Sequence, residues 1–119
     1  KKQIQLKHIH KKEKKINKRI REEKMIVHIV FFKLKNYPVG IKELKENIAA
    51  LKDKIKEIRE FQVGEDFSRE DRSYDLALYS AFDTKEDLES YAINKDHLEV
   101  INNYVKVYCD HTKVVDFEK

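Results

Sequence analysis

The segment Ile26–Leu34, IVHIVFFKL, constrains this chain more than any other. Its β-branched and aromatic residues favour an extended backbone. Alternate side chains of a strand point to opposite faces, so His28, Val30 and Phe32 share one face and Val27, Ile29 and Phe31 share the other. Both faces are apolar. A sheet wetted on one side alternates apolar with polar residues, so this strand needs cover on both sides.

The rest of the chain supplies cover for one side. Asn36-Tyr37-Pro38 breaks the strand. Ile41, Leu44, Ile48, Leu51, Ile55 and Ile58 follow at spacings of 3 and 4, which predicts a helix over 41–58. A second strand is predicted over 60–67, with Gly64 as a bulge or bend, and a third over 74–82. Thr84 and Asp87 fit a capping box, so a helix starts there, with Leu88, Tyr91 and Ala92 facing inward. Asn94-Lys95-Asp96 interrupts it, and Leu98, Ile101, Val105 and Tyr108 predict a second helical stripe. Residues 111–118 read as the last strand.

The order is β-α-β-β-α-α-β, an α+β, ferredoxin-like arrangement of a four-stranded antiparallel sheet with its helices on one side. The other side would stay bare, yet it carries Val27, Ile29 and Phe31. An exposed patch of that kind is unusual for a monomer. A second copy would cover it, and two sheets closing face to face give a dimeric α+β barrel. The expected partner is therefore the chain itself, with Val27, Ile29 and Phe31 at the interface.

Charge divides the chain in two. The net charge is +4, but residues 1–24 carry 11 Lys/Arg and 3 Glu, a net of +8, whereas 25–119 carry a net of −4. The basic character belongs to the leader and implies no nucleic-acid role for the domain over 25–119. Three readings of the leader stay open. It is a solvated tail or lone helix, a basic arm for nucleic acid or an anionic surface, or a translated upstream region ahead of a true start at Met25. Its His8-x-His10 pair lacks a third ligand, so no metal is expected. The one cysteine, Cys109, permits no intrachain disulfide. No apolar run approaches the ~18–20 residues that span a bilayer, so no membrane partner is expected and a cytoplasmic location is.

The chain also resembles a known family. His28-Ile-Val-Phe-Phe-Lys-Leu is similar to the opening strand of stress-responsive A/B barrel (Dabb) proteins. Arg72-Ser-Tyr-Asp-Leu-Ala-Leu78, the Leu88, Tyr91 and His97 set, and Lys113-Val-Val-Asp-Phe117 resemble later parts of the pattern in the right order. The resemblance implies a dimeric α+β barrel, with a cleft between sheet and helices in each subunit. A plant polyketide cyclase of this family performs an aldol closure, and its pattern places His97 at the catalytic histidine, Tyr91 at a partnering tyrosine and His28 at the strand-one histidine. Asn94 and Lys95 depart from that pattern, as does Ile48 where the cyclase has a further tyrosine.

An enolising base needs a pKa near working pH, which suits histidine, and a donor to hold the oxyanion, which suits tyrosine. The bland alternatives are a core role for His28 and a helix-start role for His97. Val30, Phe32 and Leu88 are expected to line the cleft. With only Gly40 and Gly64, phosphate-cradling loops are not expected, no residues support haem or flavin, and no cofactor is expected. Three functions compete: a dimeric stress-type protein binding a small apolar or aromatic molecule, a cyclase-like lyase with His97 as base, and an assembly protein without ligand.

Overall fold

The computed structural model describes residues 24–119; the basic leader, Lys24 apart, and its His8-x-His10 pair lie outside the described residues. The elements are β1 (Ile26–Leu34), α1 (Ile41–Ala49), α2 (Leu51–Lys54), β2 (Ile58–Glu65), β3 (Leu76–Phe82), α3 (Lys85–Ala92), α4 (Lys95–Val100), a π-helical turn (Ile101–Val105), α5 (Lys106–Tyr108) and β4 (Cys109–Glu118). The sheet order is β2-β3-β1-β4, with every neighbouring pair antiparallel. This is the ferredoxin-like order, and β1 lies inside the sheet as its two apolar faces demand. Among the described residues, no helix is long and apolar enough to cross a membrane.

The helices cover one face. Val30, Phe32 and Leu34 of β1 join Leu76, Leu78 and Phe82 of β3 in a core with Ile41, Leu44, Ile48, Leu51 and Ile55. The expected helix over 41–58 is shorter and divided. Ile55 is already extended, and Ile58 begins β2, yet both remain buried. A helical stripe and an inward strand position both demand an apolar residue, so spacing alone did not locate the change. Gly64 forms no bulge. It pairs with Ala77 in register, and the irregularity lies between Ile58 and Glu60.

The second helical half also departs from a uniform stripe. Thr84 accepts from the Asp87 amide at 3.0 Å, as expected of its cap, and Asn94 accepts from the Asp96 amide at 2.8 Å. After α4 the chain widens into the π-helical turn, which rephases the residues beyond it. Val100 is buried, and the expected inward residue Leu98 is exposed. Cys109 opens β4.

One anchor was not anticipated. Asp75 sits just ahead of β3 and is fully buried. Its carboxylate accepts the Leu34 amide at 2.8 Å and Arg69 Nη2 at 2.8 Å, with Lys33 Nζ at 3.8 Å. The Arg69 guanidinium also lies over the Tyr37 ring at 3.6 Å. Asp66 accepts the Arg69 amide at 2.8 Å. The 66–75 loop is thereby tied to the end of β1. Asp75→Ala strands a buried amide and unpairs Arg69, with an expected cost of about 1–3 kcal/mol. Denaturant melts check this, and a loss under about 1 kcal/mol would contradict the anchoring role.

Candidate active site

The break between α3 and α4 builds the site. Tyr91 lies in the last turn of α3, buried, with its ring 5.0 Å from Phe82 and 6.4 Å from Phe61. The chain leaves α3 after Ala92 and re-enters a helix through the Asn94 cap. That reversal folds His97 back onto Tyr91, with ring centroids 4.2 Å apart. His28 reaches the same place from β1, 6.2 Å from Tyr91 between ring centroids. Its backbone is held from the far side by Ser80, whose buried hydroxyl donates to the His28 carbonyl at 2.8 Å.

These three side chains share a cavity of about 670 Å³ between the sheet and α3–α4. Ile26, Leu88 and Ala92 give it an apolar lining, and Lys85, Glu89, Asp116 and Glu118 supply charges. Leu88 is a lining residue as expected. Val30 and Phe32 share the His28 face but belong to the packed core, because the helices seal that part of the sheet. The cavity lies at the start of β1, beside Ile26 and His28.

Hydrogen bonds fix the tautomers. His97 Nδ1 lies 2.9 Å from the Ala92 carbonyl oxygen, which can only accept, so Nδ1 carries a proton. In neutral His97 the lone pair therefore sits on Nε2. Burial pushes the His97 pKa below the ordinary histidine value; the Ala92 bond opposes this, and His28 adds to it. His28 Nδ1 donates to Asp116 Oδ1 at 2.5 Å. Burial raises the Tyr91 pKa well above the ordinary phenol value, so its hydroxyl stays protonated as a donor. Neither Asp116 nor the Ala92 carbonyl stood out in the sequence. The period-two pattern of β4 and the position of α3 relative to α4 had to be known first.

Cys109 is not a nucleophile candidate: it is buried, and burial pushes its thiol up to about 11. Among the described residues, no group of three or more His, Cys, Asp or Glu side chains is placed to hold a metal.

The opposite face of the sheet carries Val27, Ile29 and Phe31, beside Ala77, Tyr79 and Ala81 of β3 and Val115 and Phe117 of β4. Val27 is already buried within the protomer. Phe31, Val115 and Phe117 are exposed, and among the described residues no helix covers them. On the same face Tyr74 donates to His111 Nε2 at 2.9 Å, and His111 Nδ1 donates to Asp110 at 2.7 Å.

Residues 26–119 match the family model of the stress-responsive A/B barrel domain. A dimeric protein of unknown function with a ferredoxin-like fold from Bacteroides fragilis is similar in structure, with 33% identity, a TM-score of 0.71 and coverage of 80% of this chain and 96% of that one. A protein of Arabidopsis thaliana is 26% identical, with a TM-score of 0.68 and coverage of 79% and 94%. A hydroxynitrile lyase from Passiflora edulis is similar in fold at 22% identity, with a TM-score of 0.69 and coverage of 80% and 93%. No curated protein matches the chain in sequence.

The His97 geometry sets a pH dependence. Its folded pKa lies below its unfolded value, so the unfolded chain binds more protons between the two. The contribution of His97 to stability is therefore present above about pH 6.5 and is lost as pH falls toward the folded pKa. His97→Asn keeps a donor for the Ala92 carbonyl and removes the titration. Melts of the two proteins across this range are expected to converge on acidification, and parallel curves would contradict the shift.

Proposed function

The chain belongs to the stress-responsive A/B barrel domain family, and from that premise we propose that it works as a homodimer binding a small apolar or aromatic molecule in the cavity of each subunit. The binding reading rests on one observation: an open, apolar-lined cavity into which His28, Tyr91 and His97 converge. An assembly-only protein has no need of such a space, and packing usually fills it.

The dimer reading rests on the uncovered face. Phe31, Val115 and Phe117 are exposed on one sheet surface, and the Bacteroides fragilis relative with the same fold is described as dimeric. A second sheet packed there would desolvate all three. Sedimentation of the protein at micromolar concentration is expected to give a dimer, with Phe31→Lys shifting it toward monomer. A wild-type monomer under these conditions would remove the dimer from this reading.

The His97 tautomer favours a second, enzymatic reading, in which the bound molecule is also deprotonated. Nε2 takes a proton from a carbon next to a carbonyl, and the C–H electron pair moves into the carbonyl to form an enolate. The enolate oxygen accepts a hydrogen bond from the Tyr91 hydroxyl, while Asp116 orients His28 beside it. Phenylacetone in deuterated buffer provides the test, with exchange of its CH₂ protons followed by NMR. Wild-type protein is expected to accelerate exchange and His97→Asn to lower the rate roughly 10²–10⁴-fold, with a smaller loss in Tyr91→Phe. Equal rates in all three would sink the base assignment and leave the binding reading to stand on affinity alone.

A further inference from the structure

We propose that the cavity selects uncharged or amine-bearing ligands and rejects carboxylates and phosphates, with Glu89 as a specificity-determining residue. This rests on the binding reading above and adds the ligand's charge to it.

The polar groups of the cavity carry the argument. Among the described residues its one lysine, Lys85, is engaged with Glu118 at 3.2 Å, so that pair brings no net charge to the mouth. Asp116 is engaged with His28 at 2.5 Å. If His28 is protonated, that pair is neutral; if it is not, the pair carries a negative charge. Glu89 lines the cavity and makes no ion pair among the described residues. The sum is therefore negative in either protonation state of His28.

The interior agrees with the rim. Neutral His97 presents a lone pair on Nε2, because Nδ1 is spent on the Ala92 carbonyl. That atom welcomes an O–H, an N–H or an acidic C–H and repels a carboxylate oxygen. Tyr91 offers one donor, whereas an anion leaving water needs several donors or a fixed cation. Among the described residues, no arginine lines the cavity. Ile26, Leu88 and Ala92 suit an aliphatic or aromatic body, and an amine on its outer end would meet Glu89.

Three probes with one skeleton separate the possibilities: 2-phenylethanol, 2-phenylethylamine and phenylacetate. Each is titrated at neutral pH into the full chain, and shifts of the Leu88, Ala92 and His97 resonances are read. The alcohol and the amine are expected to bind, and phenylacetate roughly tenfold more weakly than the alcohol, the scale of one like charge at partly screened range. Glu89 is exposed, so Glu89→Lys should leave the fold intact, narrow the gap for phenylacetate and weaken the amine. Phenylacetate binding as tightly as the alcohol in the wild type would overturn the selectivity and leave the binding reading intact. So would a Glu89→Lys variant with unchanged preferences, which would remove Glu89 from the assignment. If none of the three probes moves these resonances at millimolar concentration, the binding reading falls and the selectivity falls with it.

Discussion

The need of β1 for cover on both faces is the constraint on which the rest of the structure depends. A strand with Val30 and Phe32 on one side and Val27, Ile29 and Phe31 on the other is stable only inside a sheet. Placing it between β3 and β4 satisfies its backbone on both edges. The helices then seal one face, and their layer is too short to reach β4. That shortfall has two results. It leaves the cavity beside Ile26 and His28 at the start of β1, and it leaves β4 exposed over nearly its whole length.

The site depends on a second constraint, the interruption between α3 and α4. A continuous helix would carry Tyr91 and His97 six residues apart, on different sides of the cylinder. The Asn94 cap restarts the helix in a new direction and stacks the two rings. The same reversal presents the Ala92 carbonyl, the free acceptor at the end of α3, to His97 Nδ1. A helix end thus sets the tautomer of the candidate base, and a strand partner, Asp116, sets that of His28.

These two constraints differ in how far the sequence revealed them. The apolar doubling of Ile26–Leu34 and the caps at Thr84 and Asn94 are local signals, so the element order and the helix break were legible. So was the gathering of His28, Tyr91 and His97, through the family resemblance. The end of α2 was not legible, because Ile55 and Ile58 are buried in either conformation. The phase of the helix after Leu98 was hidden by the π-helical turn, which adds a residue without altering composition. Asp75 looked like an outward strand residue, since its partners Leu34 and Arg69 are distant or lie in a loop. Asp116 likewise acquires its meaning only from its register opposite His28.

The buried thiol at the start of β4 has a practical bearing. Cys109 is the sole cysteine, and its burial and raised pKa leave it almost wholly protonated and out of reach of alkylating reagents near neutral pH. This chain is therefore close to a silent background for thiol chemistry. A cysteine installed at Phe67, which is 94% exposed at the tip of the loop held by Asp75, would take a fluorophore or spin label with no need to replace Cys109 first. Distances between two such labels would then read out the geometry of subunit pairing directly.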